Sequence, residues 1–415
     1  LHSWCITLNN SAIFHLVGKA MHLDAHYYAV LAFAVSCGFK KESAKTLAYA
    51  SQFVDDAKIN QLTISGPTYG IPLDCKSPQS LINMSTCHSY CRLKTFNHAA
   101  MINNTCAFHF VPGCKGESFA WRMTCEPEGP ILTRIKDAAL QENDLVKFGI
   151  VLHAWADSYS HQGFSGLLSK ANDIDHLHAD SKVYLSKDVY SSFFILWLKR
   201  SFFEGSFDSI LDRLVPPYGH AQALHYPDEP YIEKWSYVYD KKDIYYQAHN
   251  PPQRNNIDLY RKAFESITNL LRQFLENHPS HLNSSGEGIK SPPKQLYKIL
   301  FANKCAKERE NVWLKALPNI KPFSQADINN LKYDDTLWLR EAFANFITDN
   351  HLFSEKSFLN TKKSGRRIVH GAILKESFAE SNWYKYYLGV RWYKKLFHKC
   401  CSEENLAFDH EPYFP

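Results

Sequence analysis

Between residues 153 and 161 the chain reads His-Ala-Trp-Ala-Asp-Ser-Tyr-Ser-His. On a helix the spacing i, i+4, i+8 sets His153, Asp157 and His161 along one face, each within reach of the next. Imidazole nitrogen and carboxylate oxygen are the donors that hold zinc and related divalent ions, and a carboxylate can bridge two of them. For any one of the three alone, a solvated polar stripe is the simpler reading. The opposite face carries Leu152, Trp155 and Ala156, which argues for a buried helix, and a buried polar face must find partners or a metal.

Other residues could converge on the same chemistry. Asp24-Ala-His26 and Asp55-Asp56 lie among apolar and small residues, where a carboxylate pair repels itself unless a cation or a proton relieves it. Asp56 equally suits a helix end. His88 and His109 fall in a cysteine-rich stretch, and His220 and Asp228 sit beside prolines in Gly219-His220-Ala-Gln-Ala-Leu-His225-Tyr-Pro-Asp228, on a candidate rim. Asp175-His176-Leu-His178 is a further pair. Singly, each of these histidines is more often a surface or core residue than a ligand.

Helices must position these groups. Apolar residues recur at helical spacing from Leu23 to Ala34, with Gly38 as a stop, and the same period predicts helices over about 42–56, 131–159, 187–203, 257–276, 293–314, 334–348 and 383–397. Little reads as strand. The expected fold class is therefore mainly α: a helical metal-binding domain over 22–280 interrupted by a long irregular Cys-rich insertion, a Ser/Gly/Pro-rich linker at 281–293, and a basic helical extension over 294–415.

Composition bounds the function. The 415 residues are 45% hydrophobic and 21% charged, with 17 Gly and 19 Pro, which excludes collagen-like and broadly disordered chains. A net charge of +5 is too small over this length to mark a nucleic-acid-coating protein. No run approaches the ~20 apolar residues of a membrane span. The basic excess lies at the end: from Lys356 to Lys399 there are eleven basic and two acidic residues, interleaved with Trp383, Tyr384, Tyr386, Tyr387, Trp392 and Tyr393. That mixture suits docking to an anionic partner, although a solvated helical face with its aromatics turned inward is the plainer reading.

Six of the 11 cysteines, Cys75, Cys87, Cys91, Cys106, Cys114 and Cys125, fall in one proline-punctuated stretch that needs cross-links, metal or burial. Cys87-x3-Cys91 is not the CxxC of a zinc knuckle. The compartment stays open between disulfides in an exported chain and free or metal-bound thiols in a cytosolic one, with the cytosolic home preferred. Leu1 is not an initiator Met, so a fragment or processed chain is expected.

Six segments in order, Asp24-Ala-His26-Tyr27-Tyr28, Ala50 to Asp56, Thr86-Cys-His88, Phe108-His109-Phe110-Val-Pro112, Leu152 through Gly166, and Gly219-His220-Ala-Gln with Pro227-Asp228, resemble the motif set of a bacterial family known as domain of unknown function 6765, over residues 22 to about 275. Behind it stands a distant similarity to the all-helical, zinc-dependent phospholipase C and single-strand nuclease superfamily, which arranges His-x3-Asp helices around a zinc cluster. The resemblance implies a metal-bridging Asp55 and ligands at His88, His153, Asp157, His161 and His220, with one to three zinc or related ions. That superfamily also uses the amino group of an N-terminal Trp; Trp4 is internal here, so Asp24 and His26 have to substitute. Its second His-x3-Asp helix is not reproduced, because Leu224 stands four residues after His220. A one- or two-metal site is the expectation.

The function so implied is a metal-dependent hydrolase of phosphate esters, phosphodiesterase- or phospholipase C-like, in which metal-activated water is the nucleophile and His109 or Asp228 protonates the leaving group. The competing class is a non-enzymatic, metal-stabilised module with closed sites that docks a partner through its basic extension. An HD-type phosphohydrolase is disfavoured because no adjacent His-Asp pair occurs in the sequence.

Overall fold

The structure is a computed structural model that describes residues 23–87, 98–174, 217–238, 253–283, 294–302, 306–346, 367–406 and 408. The expected helix near 187–203 and all but the first three residues of the expected linker at 281–293 lie outside them.

Helix α1 opens as a π-helical turn, Asp24–Ala29, and continues through Val30–Ser36; α2 is Lys41–Asp56. After strands β1 (Ile59–Ile64), β2 (Cys75–Lys76) and β3 (Gln79–Ile82) comes α3, His98–Ala100 running into the π-helical Met101–His109. The longer helices that follow are α4 (Pro130–Gln141), α5 (Leu145–Ser160), α6 (Asn256–Asn277) and α7 (Ala306–Ala316). The chain then adds β4 (Arg367–Ala372) and α8 (Asn382–Glu403).

The mainly-α expectation is corrected to a mixed α/β fold by a four-stranded mixed sheet of order β2-β3-β1-β4, in which β1 pairs antiparallel with β3 and parallel with β4. Leu62 faces Leu81 on one side and Val369 on the other. Helices still make up most of the described residues. The strands escape a periodicity reading because they are short and because β4, Arg-Ile-Val-His-Gly-Ala, sits in a basic stretch some three hundred residues from its partner. The cysteine-rich stretch is likewise not an irregular insertion: it supplies β2, β3 and α3. Its described cysteines, Cys75, Cys87, Cys106, Cys114 and Cys125, are free thiols, while Cys91 lies outside the described residues. Burial pushes the Cys106 and Cys125 thiols up.

Helix α5 is the centre of the molecule. It starts at Asp144, whose side chain accepts from Val146 N and Lys147 N, and 14 of its 16 residues are buried. Helices α2, α3, α4, α6 and α8 all pack on it, as a helix apolar on nearly every side requires. One hydrophobic cluster takes in residues from Ala25 to Leu406, so the C-terminal residues share it, with Trp383, Tyr384, Tyr386, Tyr387 and Tyr393 buried in α8; a second, smaller cluster forms around Phe110, Phe164 and Trp235. No described helix is long and apolar enough to cross a membrane.

The crossing of α2 over α5 depends on Gly149. A Cβ there would lie 2.6 Å from Ala50 Cβ and 2.6 Å from Leu47 O. Helix propensity alone favours Ala over Gly by about 1 kcal/mol, but overpacking costs about 1–3 kcal/mol. Gly149→Ala is therefore expected to lower stability in urea unfolding. A gain in stability would show that the close approach is not needed.

Candidate metal centre

Eight buried or nearly buried side chains meet where α1, α2, α3 and α5 converge with the 217–238 segment. His153 and Asp157 come from α5, and His161 ends that helix, its N–H donating to Asp157 O at 2.8 Å. The i, i+4, i+8 face thus turns inward. His26 comes from the π-helical start of α1, Asp55 from the last turn of α2, His109 from the π-helical end of α3, and His220 and Asp228 from two short 3-10 turns. Three groups could each hold a metal ion: His26, Asp55 and His153; His109, His153 and Asp157; and His161, His220 and Asp228.

Three donors form a near-equilateral triangle: His109 Nδ1 is 3.0 Å from Asp157 Oδ2 and 3.1 Å from His153 Nε2, which is 3.2 Å from Asp157 Oδ2. Asp55 Oδ1 stands 3.7 Å from both nitrogens. A tetrahedral zinc-type ion with donors at about 2.0–2.1 Å sets donor separations of about 3.3 Å, so the spacing fits. The His26 ring stacks on His153 with centroids 3.9 Å apart, and its Nε2 lies 3.1 Å from Asp157 Oδ1. In the third group His161 Nε2 is 3.2 Å from Asp228 Oδ1, and His220 Nε2 is 3.3 Å from Asp228 Oδ2.

Backbone carbonyls fix the tautomers. His109 Nε2 faces Thr86 O at 3.1 Å, His161 Nδ1 faces His109 O at 2.7 Å, and His220 Nδ1 faces Leu224 O at 2.8 Å. A carbonyl only accepts, so each of those nitrogens carries the proton and the opposite nitrogen of a neutral ring points its lone pair at a carboxylate. That is the second-shell pattern of metal-bound histidine. Among the described residues neither oxygen of Asp55 has a hydrogen-bond partner. Lone pairs and carboxylates aimed at one another in a buried space call for a cation or for protons, and the residues present fit a divalent ion.

The electrostatics say which protons would stand in. Burial, together with the charges of Asp157, Asp56 and Asp228, raises the Asp55 carboxyl well above its usual range. Burial would also raise Asp157, but His161, His153 and His26 outweigh it and hold that carboxyl well down. Burial and the neighbouring His26 push His153 down to about 3. Burial alone would lower His161, yet Asp157 and Asp228 lift it to about 9.

A pH profile of chelated protein follows from these shifts. Between about 3 and the ordinary 6.5 the unfolded chain holds a proton that folded His153 refuses, so stability falls as pH drops through that window. Folded His161 keeps its proton between 6.5 and about 9, so its contribution is complete below 6.5 and is lost as pH rises toward 9. Asp55, whose carboxyl is raised in the fold, contributes fully below its ordinary 3.8 and loses that contribution as pH rises from there, so it opposes His153 in the acid window. Urea unfolding at about pH 6.5 and 8.5 is expected to show lower stability at the higher value, and a rise through alkaline pH contradicts it.

Both candidate pairs from the sequence divide. Asp24 does not join His26: its carboxylate pairs with the buried Arg309 of α7, which also donates to Ala302 O at 2.7 Å and Leu300 O at 3.0 Å. Asp56 turns from Asp55 to accept from Tyr333 OH at 2.8 Å and Gln52 Nε2 at 3.2 Å. Helical residues one or two apart do not share a face, which accounts for both. His109 and Asp228, expected as proton donors, lie inside the donor groups. His225 is exposed against Tyr226. His88, Asp175, His176 and His178 lie outside the described residues.

Several supporting residues have no local signature. Arg254 holds the turn after α5, donating to Ser160 O at 3.4 Å and to Gln162 O, with Trp235 and Phe164 against its guanidinium. Lys394 of α8 is buried and donates to Asn83 O at 3.0 Å and Ser85 O at 2.8 Å. Tyr386 OH is 2.9 Å from Thr86 Oγ1. The segment that presents Thr86 O to His109 is therefore held from the C-terminal helix.

No curated protein and no solved structure matches the chain. The family described as Family of unknown function (DUF6765) matches residues 21–401, which reaches from α1 through β4 and nearly all of α8 and so takes in both the histidine-bearing helices and the C-terminal helix that supports them. On that match the chain belongs to this family of unknown function.

Proposed function

We propose that the protein is a zinc-type metallohydrolase acting on phosphate esters. One observation carries the metal reading: three histidines are each anchored through one nitrogen to a backbone carbonyl, with the other nitrogen aimed at Asp157 or Asp228. The hydrolytic reading is supported by the closeness of the groups, since Asp157 and His161, which belong to different groups, lie four residues apart at the end of α5, and by the motif resemblance read from the sequence. Paired ions are the arrangement that phosphoryl chemistry favours.

When bound, such ions lower the pKa of water and neutralise charge growing on phosphoryl oxygens. The chain's own residues do the rest. Thr86 O, His109 O and Leu224 O keep the ring protons off the inward nitrogens, His26 orients Asp157 through its second oxygen, and the buried rings exclude bulk water. His109 and Asp228 serve as ligands in this reading rather than as leaving-group acids, because each already faces other donors.

A non-enzymatic, metal-stabilised module is the second reading, and one observation favours it: His26, His109, His153 and Asp157 are all 1% exposed or less. An anionic partner belongs with it, and the described basic side chains left for one on α8 are the exposed Lys385, Lys395 and Lys399. The experiment that tests the first reading is turnover of bis-nitrophenyl phosphate by zinc-loaded protein, lost in His153→Ala. No turnover by fully loaded protein on phosphodiesters or phosphomonoesters leaves the module as the account.

A further inference from the structure

The π-helical turn that carries His26 is gripped from two directions. Asp24 and Tyr28 stand four residues apart and so share one face, while His26, midway between them, is turned elsewhere. Both residues of that face are bound by neighbours in α7. The Asp24 carboxylate pairs with Arg309, and Tyr28 OH donates to Glu310 Oε1 at 3.0 Å and accepts from Tyr333 N at 3.3 Å. Toward α5 the same turn lays the His26 ring on His153 with centroids 3.9 Å apart, and sets His26 Nε2 3.1 Å from Asp157 Oδ1. π-helical turns are rare and recur at functional sites, and this one aims a member of a donor group.

Arg309 does more than close one ion pair. A buried guanidinium must have its charge and its N–H groups matched. Arg309, 1% exposed, meets the Asp24 carboxylate and the carbonyls of Leu300 and Ala302 at the end of the short helix Lys294–Leu300. Its guanidinium carbon also lies 5.2 Å from the centre of the Tyr231 ring. Tyr231 follows Asp228 by three residues, in the segment that also supplies His220. One side chain therefore touches both the turn that presents His26 and the segment that presents Asp228. A planar fork can serve a carboxylate, two carbonyls and an aromatic face at once; the ammonium of lysine keeps the charge and loses that geometry.

We propose that Arg309 and Glu310 of α7 are positioning residues of the metal centre: through Asp24 and Tyr28 they hold the π-helical turn so that His26 faces His153 and Asp157, and through Tyr231 Arg309 braces the segment bearing Asp228. That the positioned donors take up a metal rests on the reading above; the positioning itself does not. In the sequence both residues sit in Lys307-Glu-Arg-Glu310, a charged run that reads as a solvated helix face.

The test uses the full chain and two readouts, one of them independent of metal. In chelated protein labelled with carbon-13 at histidine, the ring resonances of His26, assigned through His26→Gln, report its stacking on His153. Arg309→Lys is expected to move them. In cobalt(II)-loaded protein the same variant is expected to change the visible spectrum and to weaken metal retention by about 10- to 100-fold, the usual cost of losing an outer-shell partner. Leu374→Ala, a buried truncation beside β4, is the control: it is expected to lower the urea midpoint and leave both spectra alone. Should Arg309→Lys fail to fold, Glu310→Ala, at a half-buried position, carries the decision, and it too is expected to move the His26 resonances. A folded Arg309→Lys or Glu310→Ala that loses stability while both spectra stay unchanged overturns the positioning role. Displaced His26 resonances in a protein that binds no cobalt or zinc sink the metallohydrolase reading and leave the positioning standing; unmoved resonances in such a protein sink both.

Discussion

Asp157→Asn is expected to remove the ion held with Asp55, His109 and His153 and to destabilise the fold by about 3–5 kcal/mol, the range for breaking one partner out of a buried charged network. The size follows from the number of groups this carboxylate faces: His26 on one oxygen and His109 and His153 on the other, with His161 at 3.7 Å. An amide keeps the shape and loses the charge, and its NH2 would point a donor at an ion or at a protonated ring. Elemental analysis and urea unfolding measure the two effects. Lys399→Ala is the control, since that side chain is 71% exposed, and it is expected to change neither. Full metal content in Asp157→Asn rules out the proposed ligand set.

Chelation is expected to have the other large effect. An ion that binds only the folded chain stabilises it by about 4 kcal/mol when free metal stands at a thousand times Kd. With an unfolding entropy of about 2.1 cal/mol/K per residue over a chain of this length, stripping one such ion lowers Tm by about 5 °C, and re-adding zinc restores it. Scanning calorimetry of protein before and after chelation decides the matter. An unchanged Tm, with metal shown to have left, means that protons on His161 and Asp55 hold the cluster as well as a cation does.

What the sequence shows and hides at this centre has a physical pattern. The His153, Asp157, His161 face is legible because all three lie on one helix, where spacing is geometry. The meeting of that face with Asp55, His109, His220 and Asp228 is a tertiary event with no local period, and only the motif resemblance brings those residues into view together. Even there, adjacent letters mislead: Asp24 goes to Arg309 and Asp56 to Tyr333. The carbonyls of Thr86, His109 and Leu224 are invisible in principle, since any residue type supplies one. Helix positions emerge well, as with 42–56 read against Lys41–Asp56, but the run read as one helix over 131–159 breaks between Gln141 and Leu145, where Asp144 starts a new one. The sheet stays hidden because a six-residue strand pairing with another some three hundred residues away leaves no trace in either one's own pattern.

That long-range parallel pairing bears on how the protein is made. β1, with Ile59, Leu62 and Ile64 buried in the finished sheet, leaves the ribosome some three hundred residues before β4. At about 5–20 residues per second, the nascent chain spends roughly 15–60 s with one edge of β1 unpaired. An open apolar edge is a template for pairing with other chains. The histidine-bearing helices are complete long before that edge is covered, so metal supplied during translation would reach donors on a body not yet sealed. Yield of soluble protein should then depend on chaperone supply and on translation speed more than on the stability of the finished fold, and a chain ended before residue 367 should aggregate even with every described donor present.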